Sequence, residues 1–213
     1  MRVIRPELLD DADPAEARPS LEDLTRINKY LGGYRVLRKI MATVAAPSDA
    51  FTVLDVGAAS GDMGREIRRA FPHACVTAFD YRLRHLAQAE PPKVVGDAFH
   101  FPFRPGSFDM VFCSLFLHHF TDAQVTELLS AFGVLARRAV CAIDLERGPF
   151  SYHFIPATRW LFGWHPITLH DAPASVAAGF KRQELEGLAK AAGLREPRVA
   201  VHRPWGRLSL VAQ

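Results

Sequence analysis

Phe51-Thr52-Val53-Leu54-Asp55-Val56-Gly57-Ala58-Ala59-Ser60-Gly61-Asp62-Met63-Gly64 is where the chain first shows a regular pattern. Phe51 to Val56 is a short apolar, β-branched run, the signature of a strand buried on both faces of a parallel sheet. Gly57 to Gly64 reads as a loop, and Arg65 to Phe71 as the start of a helix. Gly57 and Gly61 permit positive φ or close approach of a ligand to backbone. The helix that follows offers unpaired N–H groups. A dinucleotide enzyme sets pyrophosphate on such a helix end and wants G-x-G-x-x-G. Counted from Gly57, Ala59 stands at the second glycine and Asp62 at the third. A carboxylate there repels pyrophosphate, so the loop suits a ligand without phosphates at that point.

Strand and helix signals alternate downstream. Cys75–Asp80, Lys93–Val95, Phe108–Leu115 and Arg138–Asp144 read as further strands, with a short helix over Leu83–Ala89. Thr121 and Gln124 form a capping-box signature before the apolar face Val125, Leu128, Leu129, Phe132, Leu135. This alternation predicts a doubly wound, Rossmann-like α/β sheet with helices on both faces. Lys181–Ala192 reads as the last helix, ended by Gly193. Arg198–Arg203 and Arg207–Val211, joined by Pro204-Trp205-Gly206, predict an antiparallel C-terminal edge hairpin on a mostly parallel, seven-stranded sheet.

Two segments flank this pattern. Residues 1–19 are acidic and proline-containing. Ser20 and Asp23 then resemble a capping box ahead of a helical stripe over 21–45, weakened at Gly32-Gly33. Together, residues 1–48 are expected to form a helical arm or lid. Residues 149–180 carry Pro149, Pro156, Pro166 and Pro173 among Phe150, Tyr152, Phe154, Trp160, Phe162 and Trp164. This aromatic-rich insertion is too long for an ordinary connection and is expected to wall a substrate.

The whole chain, 1–213, is expected to be a single domain. Its length is enough to bury roughly 70% of the extended surface. With 49% hydrophobic and 23% charged residues, disorder is excluded as the default state. Lys and Arg number 26 against 23 Asp and Glu, a formal charge of +3 with no basic run, so no nucleic-acid footprint is visible. No apolar stretch is long enough for a membrane span, and Met1-Arg2-Val3-Ile4 lacks a secretion signal's apolar run. Cys75, Cys113 and Cys141 each lie in apolar runs and read as buried thiols without metal spacing. The expectation is a reducing, cytoplasmic location, a monomer or homodimer, and no metal.

Three acids, Asp55, Asp80 and Asp97, end three successive strands, in the crevice where open sheets bind ligands. They favour a ligand with cationic or donor groups and a diol. The ordered series Val53–Gly57 through Gly61, Val76–Asp80, Gly96-Asp97-Ala98-Phe99, Ser107–Val111 and Leu117-His118-His119-Phe120 resembles the class I S-adenosylmethionine-dependent methyltransferases, in their small-molecule branch. The resemblance implies that Asp55, Gly57, Ala58, Ala59 and Gly61 shape the methionine end of the cofactor pocket. It implies that Asp80 with Tyr81 holds the ribose, that Asp97 and Ala98 frame adenine beside Leu83 and Phe99, and that Ser114 lies beside the transferred methyl. Ala59 replaces a usual glycine, which the turn tolerates if its φ is negative. The arm through Gly33, Asp144–Arg147 and Leu169–Ala172 resemble a bacterial subgroup associated with quinone, phenolic or polyketide acceptors.

The resemblance implies methyl transfer to oxygen of a small aromatic, phenolic or polyketide-like acceptor. Carbon methylation of a quinone-like ring, or cofactor binding without transfer, stays open as an alternative. An oxygen nucleophile needs a base, and His118, His119 and His170 (next to Asp171) are the candidates; His153 and His165 rank behind them. Trp160, Phe162 and Trp164 are candidate wall residues, Arg147 and Arg159 candidate carboxylate partners, and Asn28 and Tyr30 candidate contacts from the arm.

Overall fold

The computed structural model describes residues 1–213, apart from the side chains of Asp10 and Pro14. In chain order the elements are α1 Leu8–Asp11, α2 Pro14–Tyr30, α3 Gly33–Met41, β1 Phe51–Val56, α4 Asp62–Ala70, β2 Ala74–Asp80, β3 Lys93–Val95, β4 Phe108–Ser114, α5 Asp122–Leu135, β5 Ala136–Leu145, α6 Pro149–Ala157, α7 Arg159–Phe162, α8 Pro166–Ala178, α9 Arg182–Ala191, β6 Arg198–His202 and β7 Arg207–Ala212. The seven strands form one sheet in the order β3-β2-β1-β4-β5-β7-β6. β1 pairs in parallel with β2 and β4, and β5 pairs in parallel with β4. β7 runs antiparallel to both β5 and β6, so the edge hairpin expected from the sequence is present.

The apolar runs of the central strands are explained by two cores. Alternate residues Leu54, Val56, Val111 and Cys113 pack with Leu128, Leu129 and Phe132 of α5 and Leu185 of α9. Their neighbours Val53, Met110, Phe112 and Cys141 pack with Leu37 and Ile40 of α3 and Met63 and Ile67 of α4. Each fully buried side chain of this kind contributes roughly 1.5–3 kcal/mol. The Thr121–Gln124 capping box forms as expected, with Gln124 N–H donating to Thr121 Oγ1 and Thr121 N–H to Gln124 Oε1.

Elsewhere the sequence pattern misleads. The Ser20–Asp23 signature is not a helix start, because α2 already begins at Pro14. Those side chains serve tertiary contacts instead: Ser20 Oγ lies 3.0 Å from Thr168 Oγ1, and Asp23 accepts the His165 N–H. The break at Gly32 does occur, with φ +84°; a Cβ there would lie 2.5 Å from the Trp205 ring. The expected helix over 83–89 is a 3-10 turn at His85–Gln88. Residues 149–180 are largely helical (α6, α7, α8), with Pro149 and Pro166 in first turns, where a missing N–H costs nothing. Cys113 and Cys141 are buried as expected, but Cys75 is exposed. No helix among the described residues is long and apolar enough to cross a membrane.

Candidate active site

The strand order reverses between β1 and β4, and a doubly wound sheet opens its ligand crevice at such a point. A cavity of about 630 Å³ lies there, floored by the ends of β1, β2 and β4 and roofed by residues of α2, α6 and α8. Gly57 (φ +68°) lines its floor, where a Cβ would lie 2.5 Å from Phe116, whereas Gly61 (φ +69°) caps α4 outside the lining, where a Cβ would lie 2.7 Å from Ala89. Ala59 does not take the negative φ that would make it harmless. Its φ is +45°, and its N–H donates to Asp80 Oδ2 at 3.0 Å. Left-handed backbone costs a residue with a Cβ about 1–2 kcal/mol. Ala59→Gly is therefore expected to raise stability by about 1 kcal/mol after the unfolded chain's added entropy is deducted. A thermal melt checks this, and an unchanged or lower midpoint would show that the loop carries no such strain.

The three acids differ in state. Asp55 is 1% exposed, and its Oδ2 is buried at the cavity floor without a hydrogen-bond partner. Burial, with the Asp62 carboxylate nearby, pushes its pKa up to about 8, against the opposing pull of Arg68. Asp80 is also buried. Its Oδ2 accepts from Ala59 N–H, and its Oδ1 accepts from Arg82 N–H and faces His85 Nδ1. Asp97 lies at the cavity mouth, where the Phe99 N–H and the His100 ring hold its carboxyl below the usual range. Ser114 Oγ is a second buried, unpartnered atom on the cavity wall. Two orphaned acceptors among clustered carboxylates fit a cationic ligand carrying an ammonium and hydroxyl donors.

A cation beside Asp55 favours its ionised form. With the cofactor implied by the sequence resemblance placed here, binding of S-adenosylhomocysteine at pH 7 is expected to release about one proton, because Asp55 is mostly neutral beforehand. Calorimetry in buffers of different ionisation enthalpy reads this number directly. Asp55→Asn should bring it near zero, and zero release from the unaltered protein would contradict the assignment.

The histidines separate sharply. His118 is buried, with Nδ1 2.7 Å from Asp144 Oδ1 and Nε2 3.6 Å from Glu7 Oε1. Burial opposes its charge, but Asp144 and Glu7 outweigh burial and raise its pKa to about 9. An imidazole already protonated at neutral pH cannot accept a proton there. His118 instead ties the N-terminal segment to the end of β5. Glu7 also accepts from Ser175 Oγ. His119 stacks on His118 at 4.3 Å and lines the cavity. Glu7, His118 and His119 place three possible ligand atoms within 4.8 Å of one another, a grouping that spacing alone does not reveal. His170 lies outside the cavity, 56% exposed, against Asp171, whose carboxylate accepts the Leu8 and Leu9 N–H groups.

Tyr81 lines the cavity although exposed, as do Ala58, Ala98 and Phe99, whereas Leu83 is exposed and lines nothing. The aromatic wall is built by Phe150 and Phe154 of α6 with Ile155. Trp160 is exposed, Trp164 is buried against Ile27 and Ile155, and none of Trp160, Phe162 and Trp164 lines the cavity. Arg147 is occupied by Glu184 and the Gly179 carbonyl, and Arg159 stacks on Trp160. Asn28 reaches the cavity and Tyr30 does not. Sequence reasoning missed Glu7, Asp144 and Arg207. Only Asp144, a carboxylate ending an apolar strand, carried a local signal.

Residues 53–138 match the family profile described as a methyltransferase domain. No curated protein matches the sequence significantly. Among solved structures, the chain is similar to a candidate O-methyltransferase from Nostoc punctiforme (TM-score 0.63, 19% identity, 88% of this chain and 59% of that one). It is similar to a SAM-dependent methyltransferase from Aquifex aeolicus (TM-score 0.59, 16% identity, 94% and 98%). It is also similar to magnesium protoporphyrin IX methyltransferase from Synechocystis, solved with bound S-adenosylhomocysteine (TM-score 0.58, 16% identity, 85% and 83%). The chain thus spans about three fifths of the Nostoc protein and nearly all of the Aquifex one. Residues 53–138 thus carry the methyltransferase-domain match on a Rossmann-like, mostly parallel seven-stranded fold.

Proposed function

We propose that the protein methylates an oxygen atom of a small phenolic or polyketide-like acceptor. The observation that carries this reading is one continuous cavity, with orphaned acceptors at Asp55 and Ser114 on one side and the apolar wall Phe150, Phe154, Ile155 on the other. When bound, S-adenosylmethionine supplies a methyl group already activated on a sulfonium centre. Asp55 and the 57–61 loop would hold its methionine part, Asp80 its ribose, and Ala98 and Phe99 its adenine. The remaining work of the protein is alignment and exclusion of water. Residues 1–48 act as the lid and 149–180 as the acceptor wall. His119, at the cavity surface, takes the acceptor's hydroxyl proton.

The test is turnover of S-adenosylmethionine with a panel of phenols, with the product identified by NMR. Replacing His119 with Gln or Ala should lower kcat by about 10²–10⁴ at neutral pH while S-adenosylhomocysteine affinity stays within about twofold. A product methylated at carbon would overturn the oxygen assignment. An unchanged kcat in both variants would remove His119 from the mechanism.

A further inference from the structure

Arg207 is the first residue of β7, paired with Leu145 at the carboxyl end of β5. It is 2% exposed and lines the cavity. Its Nη2 donates to Asn28 Oδ1 at 3.2 Å, while its Nη1 is buried with no partner. The carboxylates whose charge it feels are Asp144 and Asp62. Both are engaged elsewhere: Asp144 with His118, and Asp62 with Asn28 Nδ2 and Tyr34 Oη. Burying a guanidinium is expensive, and leaving one of its donors unmet adds to the cost. A guanidinium with an unmet donor, on a residue that lines a cavity, can receive a carboxylate.

Position says which carboxylate. The acids of the cofactor end, Asp55, Asp80 and Asp97, terminate or follow β1, β2 and β3. Arg207 enters three strands away from β1, past β4 and β5. Leu145 is its strand partner, and the lining of the same cavity also includes Phe150, Ser151, Phe154 and Trp205. The approach of α6 is close, since a Cβ on Gly206 would collide with Ser151. The cavity therefore holds carboxylates at the ends of β1, β2 and β3 and a buried guanidinium at the start of β7, with apolar and aromatic side chains also in its lining.

We propose that Arg207 anchors the carboxylate of the methyl acceptor, so that the acceptor is an organic acid with an apolar or aromatic body. This rests on the methyltransferase reading above. The test uses matched acid and amide probes on protein saturated with S-adenosylhomocysteine: benzoate and benzamide, 4-hydroxybenzoate and 4-hydroxybenzamide, octanoate and octanamide. At least one acid should bind roughly tenfold or more tightly than its amide. Arg207→Met should erase that preference, Arg207→Lys should keep part of it, and S-adenosylhomocysteine affinity should stay within about twofold in both. Equal binding of acids and amides to the unaltered protein overturns the proposal, whatever the variants do. So does a loss of S-adenosylhomocysteine affinity in Arg207→Met with binding of 5′-methylthioadenosine, which has no carboxylate, unchanged; the guanidinium would then serve the cofactor. Failure of the unaltered protein to bind S-adenosylhomocysteine, seen before any acid is added, would instead overturn the methyltransferase reading.

Discussion

Asp80→Ala is expected to weaken S-adenosylhomocysteine binding by about two orders of magnitude. Its carboxylate does two things at once. It faces the cavity where a ribose diol would donate, and it anchors the loop through the Ala59 N–H at 3.0 Å. Hydrogen bonds to a charged acceptor contribute about 1.5–3 kcal/mol each, so losing a ligand bond and a loop anchor together gives this magnitude. Asp80→Asn keeps one carbonyl oxygen and should fall between the alanine variant and the unaltered protein. Calorimetric titration beside circular dichroism checks both. Native affinity in the alanine variant would place the ribose elsewhere.

The second large effect concerns stability. Asp144 is fully buried, and its Oδ1 faces His118 Nδ1 at 2.7 Å and accepts the Leu145 N–H. Removing one partner of a buried pair leaves an uncompensated charge, so Asp144→Ala should cost about 3–5 kcal/mol. For a chain of this size that is a fall of roughly 10 °C or more in Tm. The pH dependence follows from the same geometry. His118 has a folded pKa of about 9, above its unfolded value. Its contribution is full below about pH 6.5 and is lost as pH rises through 9. Asp144 and Glu7 are held below the ordinary carboxylate range, largely by His118 working against their burial, so their contributions are lost as pH falls. Urea midpoints should therefore decline from pH 6.5 towards 9; Asp55, held neutral in the fold up to about 8, adds to that decline, so Asp144→Ala should make it shallower without abolishing it. A flat alkaline limb in the unaltered protein would mean that His118 is neutral.

The sheet was legible because its central strands are buried on both faces. Burial on both sides leaves no alternation, only short apolar runs, and Gly57 and Gly61 mark where the first run ends. Asp55 and Asp80 stood out as carboxylates ending apolar strands. The roof was less legible. α6 and α8 are apolar on several sides and contain Pro156 and Pro173, so neither a single face nor a breaker-free run announces a helix. Arg207 was hidden because a basic residue opening a hairpin strand reads as solvent-exposed, and its burial depends on tertiary contacts such as that with Asn28 of α2. Glu7 meets His118 across more than half the chain, a distance at which no local pattern operates.

The bonds around Asp80 and Asp144 also divide the thermodynamic burden of ligand capture. Asp80 joins β2 to the loop after β1, and Asp144 joins β5 to the turn after β4. The floor is thus preorganised, and a ligand settling on it has little conformational entropy left to remove. The roof meets that floor through the Glu7–His118 and Asn28–Asp62 contacts, which are polar, sparse and contributed by segments distant in sequence. If residues 1–48 act as the proposed lid, the ordering cost of binding falls on this roof, and with it the heat-capacity change, as closure would bury the apolar faces of α2 and α6.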